Sequence, residues 1–458
     1  MDTRWREEQE RKARTLTFGL SEDGVEGVAL SYVDNAGITR VKSVPVEKLP
    51  HAASWGVGMS PVFDVFCVDD SITSGRIAGG PGGDLRLYPD LDRLTRLAAQ
   101  PGWAWAPVDR YTQEGEEHPG CQRSFARRAA AEAVDDGLDV RMGFEVEWVV
   151  GTDEEGEFHP ACRGPAYGMT RMVELSDYCR DLLTALAAES VDVLQLHPEY
   201  AAGQFELSAA PLEPVAAADQ VLLVRETVRA VSRRHGMDAS FAPAVVAGLV
   251  GNGQHLHLSL RHGGVNLLDG GYGRYGMTGE GESFLAGVLE AMPALTAILA
   301  PSVASYVRLV PSRWAGAYQC WGRENREAAL RLVTGSAGET DVVSNAEVKC
   351  LDASANPYLV VGAVLTVGVA ALDQGLTLPE EVSGDPATLA AADLQRSGVE
   401  RLPESAEAAL DLLDDNDLLK KAMGEYLYDA FTAVRRAEVA LFADATPAQV
   451  VAATRWRY

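Results

Sequence analysis

The stretch Met142-Gly143-Phe144-Glu145-Val146-Glu147-Trp148-Val149-Val150 constrains this chain more than any other. It is apolar and β-prone except for two carboxylates two residues apart. On a strand, residues i and i+2 share a face, so Glu145 and Glu147 stand side by side while Phe144, Val146 and Trp148 point the other way. Adjacent carboxylates in an apolar setting repel each other and lose hydration, so the pair persists there only if cations bind or one carboxyl keeps its proton. The alternative is an outward sheet face lying in water, and the pair alone does not separate the two.

Other polar residues recur at the same spacing. In Gly251-Asn-Gly-Gln-His255-Leu-His257-Leu-Ser259, two histidines and a serine share a strand face. His197-Pro-Glu199-Tyr-Ala-Ala-Gly-Gln204-Phe-Glu206 adds two carboxylates across a glycine turn, and Glu347-Val-Lys349 sets an acid beside a base. His-x-His also occurs in zinc hydrolases, but carboxylates with a histidine form a hard, oxygen-rich set that favours magnesium or manganese. Between His257 and Glu347 lie Arg308, Arg313, Arg323, Arg326 and Arg331, the residue type suited to bidentate recognition of phosphate and carboxylate. Metals plus arginines argue for phosphoryl transfer. No Gly-x-x-x-x-Gly-Lys-Ser/Thr loop and no Gly-x-Gly-x-x-Gly after a strand is present, so metals and arginines would have to hold a nucleotide.

The chain has 458 residues with 47% hydrophobic content, enough for a large core in two or three domains. A net charge of -26 argues against nucleic acid or an anionic membrane as partner. Six cysteines without Cys-x-x-Cys spacing indicate neither a zinc knuckle nor a disulfide framework. The N-terminus is charged rather than apolar, unlike a secretory signal. The longest apolar run, Leu359 to Leu372, is short for a bilayer and reads as a buried helix opened by Asn356-Pro357. A cytoplasmic location is expected.

In chain order, a polar helix precedes a hairpin formed by 27–33 and 38–44 around Asp34-Asn35-Ala36-Gly37. Residues 51–83 read as a long loop, followed by strands at 84–90 and 103–108. The polar segment 112–120 is the best domain boundary. Beyond it come helices at 122–135, 175–190 and 214–235, and strands at 203–209 and 255–260. Helices alternating with strands that carry inward polar residues point to an α/β or α+β catalytic domain around one large sheet.

Six stretches in order, Gly143-Phe-Glu-Val-Glu147, Glu199 to Glu206, Gly251 to Leu260, Tyr306-Val-Arg308-Leu-Val-Pro311, Arg323-Glu-Asn-Arg326 to Arg331, and Glu347 to Leu359, together resemble the glutamine synthetase family in its bacterial type I branch. The resemblance covers nearly the whole chain. It implies an α+β fold, with an N-terminal β-grasp domain over 1–115 and a catalytic domain over 116–458 built on a curved antiparallel sheet with flanking helices. It also implies a homo-oligomeric ring, a dodecamer of two hexamers with active sites between subunits. The implied substrates are ATP, L-glutamate and an amine, with two or more magnesium or manganese ions per site.

Carried over residue by residue, Glu147, Glu199 and Glu206 would hold a metal near the amine and glutamate, and Glu145, His255 and Glu347 the metal on the ATP phosphates. His257 and Ser259 would lie by the nucleotide. Arg331 would hold phosphate, Arg326 would stabilise the phosphoryl group in flight, and Arg308 would take the glutamate α-carboxylate beside the turn at Gly251. The implied chemistry has two steps, formation of γ-glutamyl phosphate and its displacement by an amine.

Departures from the family pattern fall where the amine would sit. After Pro311, Gly-Tyr-Glu is replaced by Ser312-Arg313-Trp314, and an indole cannot act as a base although its face can hold a cation or an alkyl chain. Asp70 falls at the family's ammonium-contacting aspartate, with Asp69 the neighbouring choice. Lys349 replaces an arginine at the glutamate site, and the spacing from Glu199 to Glu206 is one residue shorter. Residues 375–403 contain no tyrosine, so the adenylylation known in part of the family is not available there. These changes favour an organic amine over ammonia and make the chain most similar to the γ-glutamylpolyamine synthetase-like subgroup. An ammonia-using enzyme and a catalytically silent sensor or assembly subunit are the alternatives.

Overall fold

Among the residues described by the computed structural model, 2–154 and 156–458, the strands form two sheets. The first runs in the order Thr39–Pro45, Gly27–Val33, Trp103–Tyr111, Leu85–Pro89, Val57–Met59. Gly27–Val33 and Trp103–Tyr111 are parallel neighbours, and the hairpin expected around Asp34 to Gly37 is present. The stretch 51–83 is more ordered than its lack of periodicity suggests. A helix, Leu49–Trp55, a strand, Val57–Met59, and a 3-10 turn, Pro61–Val65, occupy its first part. The helix is short but buries Leu49, Ala52 and Ala53, which gives it a tertiary reason to form that periodicity does not reveal.

The second sheet is larger, in the order Glu400–Arg401, Tyr318–Arg323, Ala328–Val333, Asn345–Val348, Leu256–His262, Leu138–Glu154, Gln204–Ala209, Val193–Pro198. Only Tyr318–Arg323 and Ala328–Val333 pair in parallel along that order. The Leu138–Glu154 strand is 17 residues long and is the common partner of four others. One face of it carries Phe144, Val146 and Trp148 into the core, where the Trp148 indole N–H donates to Tyr178 Oη at 3.0 Å. Glu145 and Glu147 stand on the other face, as alternation demands.

The helices expected at 122–135, 175–190 and 214–235 appear as Gln122–Asp135, Ser176–Ala188 and Pro214–Arg234. Asn356 caps the Pro357–Ala371 helix through its side chain, as its Asn-Pro start implies. This helix is central. A Cβ at Gly362 would sit 2.4 Å from the Phe125 ring, and one at Gly368 would sit 2.2 Å from the Phe284 ring, so both glycines allow neighbouring helices to close in. By length and composition Gly279–Leu299 and this helix together with its 3-10 extension, Pro357–Gln374, are apolar enough to cross a bilayer, which the uninterrupted apolar runs in the sequence do not indicate. Both are mostly buried in the core. All six cysteines are buried and free.

Candidate active site

Register across the large sheet assembles the carboxylates. Glu206 is the partner of Glu147, Ser208 of Glu145, and Glu347 of both His257 and Arg331. Two clusters result. In the first, His255 Nδ1 lies 3.2 Å from Glu145 Oε2 and 3.1 Å from Glu347 Oε1. The ligand atoms of Glu145, His255 and Glu347 all fall within 4.8 Å of one another. The same holds for His197, Glu199 and Glu206 in the second, where His197 Nε2 is 3.1 Å from Glu206 Oε1. Glu147 sits between them, with one oxygen 3.8 Å from His255 Nε2 and the other accepting from Gln204 Nε2 at 3.0 Å.

Electrostatics follow from this crowding. Burial, with Glu147 and Glu206 beside it, pushes the Glu199 carboxyl up to about 7, and burial also raises Glu206. Its hydrogen bond to Glu206 holds His197 up at about 9. Burial pulls His257 down, but Glu145 and Glu347 outweigh it and hold the ring at about 9. Burial alone would raise Glu145 as well, yet hydrogen bonds from His255 and His257 take it well below the usual carboxylate range. The clusters therefore combine hard oxygens with imidazoles, are partly or fully buried, and concentrate negative charge, a donor chemistry that fits divalent magnesium or manganese.

Cations surround the clusters. Glu347 accepts from Arg331 Nη1 and from Lys349 Nζ, each at 3.0 Å, and Arg331 also reaches Glu324 at 2.7 Å. Arg308 Nη2 donates to the Lys349 carbonyl at 3.2 Å, while its Nη1 is buried without a partner among the described residues. A Cβ at Gly251 would meet the Pro243 carbonyl oxygen at 1.9 Å and Arg308 Cβ at 3.1 Å, so only glycine lets this turn approach the arginine. The cleft, of 590 Å³, holds Arg308, Arg326, Arg331 and Lys349 together with Glu145, Glu147, Glu199 and Glu206. Beside it, sharing Glu145, a cavity of 690 Å³ is lined by His257, Ser259 and Asn345.

A family model for the glutamine synthetase catalytic domain matches residues 119–452. The chain belongs to the glutamine synthetase family. It is 56% identical over 450 residues to gamma-glutamylpolyamine synthetase GlnA3 of Streptomyces coelicolor, covering 98% of this chain and 97% of that protein. A glutamine synthetase of Clostridium saccharobutylicum is 28% identical over 92% of this chain and 93% of its own length. Among solved structures, a novel glutamine synthase homolog superposes with a TM-score of 0.85 at 32% identity, covering 95% of this chain and 99% of that one. GmaS in complex with ADP superposes at 0.82 with 25% identity, covering 94% and 97%. The α+β reading of the sequence holds.

Within this glutamine synthetase family member, the sequence-derived positions are brought together except for Asp70 and for Arg323, whose guanidinium lies over the Tyr275 ring at 4.6 Å and not in the cleft lining. Glu145, Glu147, Glu199, Glu206, His255, Arg308, Trp314, Arg326, Arg331, Gly251 and Lys349 all line the cleft. Glu347 reaches it through the first cluster, and His257 and Ser259 face the adjoining cavity. Asp70 does not line the cleft. Its carboxylate takes Arg40 Nη1 at 2.9 Å and Arg457 Nη1 at 2.7 Å. Lys349 is committed to Glu347 rather than standing free for a substrate.

Several residues of the site escape sequence reasoning. His197 and Gln204 lie on strands two residues before Glu199, which falls just past the end of its strand, and Glu206, so the i, i+2 rule that picks out Glu145 and Glu147 could have found both. Tyr167 and Tyr200 line the cleft from irregular segments and carry no periodic signal. Glu327, whose Oε1 accepts the Trp314 backbone N–H at 2.9 Å, is visible in the sequence only as a neighbour of the arginine cluster.

Proposed function

We propose that this ligase joins the γ-carboxylate of L-glutamate to an organic amine, a polyamine or a small monoamine, with conversion of ATP to ADP and phosphate. One observation carries the reading: two carboxylate–histidine clusters share one sheet face, ringed by arginines, and open into a cleft that is also lined by Tyr167, Tyr200 and Trp314. Similarity to a protein named gamma-glutamylpolyamine synthetase supports the organic acceptor. The clusters Glu145, His255, Glu347 and Glu199, Glu206 with Glu147 would hold two divalent cations, magnesium or manganese, which when bound neutralise phosphate charge.

In the first step a γ-carboxylate oxygen of glutamate attacks the γ-phosphorus of ATP, the bond to the β–γ bridging oxygen breaks, and ADP leaves. The unpartnered Arg308 Nη1 would receive the α-carboxylate, a charge-assisted contact that orients the nucleophile. Arg326 lines the cleft without an ion-pair partner among the described residues, which leaves it for the charge on the phosphoryl group in transfer. Arg331 is anchored by Glu347 and Glu324 and serves the ATP phosphates, with His257 and Ser259 at the nucleotide. In the second step the neutral amine nitrogen attacks the acyl carbon of γ-glutamyl phosphate and phosphate leaves. That nitrogen must first lose a proton, and neither Trp314 nor Arg313 can take it.

Asp70 is the proposed proton-side carboxylate. Because it stands outside the cleft of its own chain, this role would be filled by a neighbouring copy, and the proposed assembly is a homo-oligomeric ring, a dodecamer of two hexamers, with sites between subunits. The proposed division is an N-terminal domain over 1–115 and a catalytic domain over 116–458, in a cytoplasmic enzyme. Phosphate release from ATP with L-glutamate tests the function, with ammonium compared against methylamine, 1,4-diaminobutane and spermidine. Turnover with organic amines at higher kcat/KM than with ammonium is expected. Turnover with ammonium alone makes the chain an ammonia-using glutamine synthetase, and turnover with none makes it a silent member.

A further inference from the structure

The cleft is of mixed character. Its lining includes the buried Glu147 and Glu206 with Glu199, and the exposed Tyr200, Leu249 and Trp314. Tyr200 directly follows Glu199, and its backbone N–H donates to Glu199 Oε2 at 2.9 Å, so the aromatic ring is tethered one residue from the anionic centre. That ring meets Trp314 in an edge-to-face contact, with centroids 5.5 Å apart and planes at 61°. Tyr200 is 46% exposed and Trp314 45%. Two large rings packed on each other yet half in water, on the wall of a concave site, present a surface for a ligand.

The segment that carries Trp314 is held in a costly backbone. Ser312 has φ 56° and Trp314 φ 54°, both in the left-handed region that non-glycine residues avoid. Such conformations persist where the surroundings over-determine them. Here Ser312 Oγ donates to Asp385 Oδ2 at 2.7 Å and the Trp314 N–H to Glu327 Oε1 at 2.9 Å. Glu327 is buried, and its own N–H donates to Asn325 Oδ1 at 3.0 Å. Asn325 Nδ2 in turn donates to the Val382 and Gly384 carbonyls at 2.7 and 3.0 Å. The Trp314 backbone is thus fixed by a chain of hydrogen bonds that runs from the Val382 and Gly384 carbonyls through Asn325 to Glu327.

From these contacts we infer that Tyr200 and Trp314 form the specificity wall that reads the tail of the acceptor amine, and that Glu327 is the positioning residue that sets Trp314 against Tyr200. The tail is an aliphatic chain of several carbons bearing a second protonated nitrogen. The chain lies along the ring faces and the cation lies over the indole, whose quadrupole attracts it. A reacting nitrogen without a tail has nothing to place there. This inference rests on the organic-amine reading given above, and the two fail differently.

The test measures kcat/KM for methylamine and for 1,4-diaminobutane at saturating ATP and L-glutamate, in the wild-type enzyme and in Tyr200→Val, Tyr200→Leu, Glu327→Ala and Glu327→Gln. In the wild type the diamine is expected to be the better substrate. In both Tyr200 variants the ratio of diamine to methylamine falls about tenfold, through KM rather than kcat. Glu327→Ala lowers the ratio similarly, while Glu327→Gln, whose amide oxygen accepts the same N–H, keeps it within about threefold of wild type. Circular dichroism verifies folding, and Tyr200, being exposed, is the position whose replacement the fold tolerates. An unchanged ratio in folded Tyr200 variants overturns the wall, as does a parallel fall for both amines. Equal loss in Glu327→Ala and Glu327→Gln overturns the positioning role. A wild-type enzyme that uses only ammonium, or no amine, overturns the organic-amine reading itself, before any variant is compared.

Discussion

The floor of the cleft and its rim are built by opposite means. The floor is a set of paired strands in which Glu145, Glu147, Glu206, His257 and Glu347 are fixed by register, and each carboxylate is held by a histidine, glutamine, lysine or arginine. The rim is a set of irregular segments in which Tyr167, Ser312 and Trp314 adopt positive φ and the aromatic rings stay half in water. A ladder shared by several strands positions a group to within tenths of an ångström and tolerates little change. Loops carry specificity because they can change without disturbing it. On the function proposed above, phosphoryl transfer belongs to the floor and acceptor choice to the rim.

The largest expected effect tests whether the floor is one site or two. Glu145→Ala should lower kcat by about 10³-fold with glutamate KM little changed, while Glu147→Ala should also raise the KM for glutamate and the amine, in steady-state phosphate-release assays. Equal losses of ATP affinity in both variants would merge the clusters. Chelation with EDTA should abolish turnover, and magnesium or manganese should restore it while raising Tm, since a ligand that binds only the folded state stabilises it. Arg308→Lys keeps the charge but removes the fork, and should raise the glutamate KM about a hundredfold; an unchanged KM would move the α-carboxylate elsewhere. On the rim, Trp314→Glu should shift the ratio of kcat/KM for spermidine to that for ammonium downward by about tenfold, and an unchanged ratio would remove the indole from acceptor choice. Smallest of all, Ser312→Ala removes one hydrogen bond from a partly exposed segment and should change stability by less than about 0.5 kcal/mol in urea denaturation.

The same contrast explains what is legible in the sequence. Alternation is visible in a one-dimensional string, so the spacing of Glu145 with Glu147, of His255 with His257 and of Glu347 with Lys349 already marks strands with a polar face. The capped helix at Asn356-Pro357 and the hairpin at Asp34 to Gly37 are equally local signals. Asp70 can be aligned but not placed, because its partners Arg40 and Arg457 are remote in sequence. Tyr200 and Glu327 act on Trp314 from other segments of the chain, and no spacing rule connects them. The Leu49–Trp55 helix stays hidden because two alanines and a leucine in seven residues form too faint a pattern without the sheet they cover.

The 17-residue strand Leu138–Glu154 has a consequence for how such a molecule can change over generations. It acts as a ruler against which four neighbours are read, and its two faces hold the core and the chemistry. Inserting or deleting one residue between Leu138 and Glu147 would exchange the faces, turning Phe144 and Trp148 toward the ligand cluster and the glutamates into the core. Length variation is therefore forbidden between Leu138 and Glu147, where a slip would exchange the two faces, and tolerated in irregular segments such as the turn between Glu199 and Glu206. If Tyr200 and Trp314 read the acceptor as proposed, descendants of this chain can acquire new amines by reshaping the segments around them, but they inherit the spacing of Glu145 and Glu147 whole or lose the enzyme.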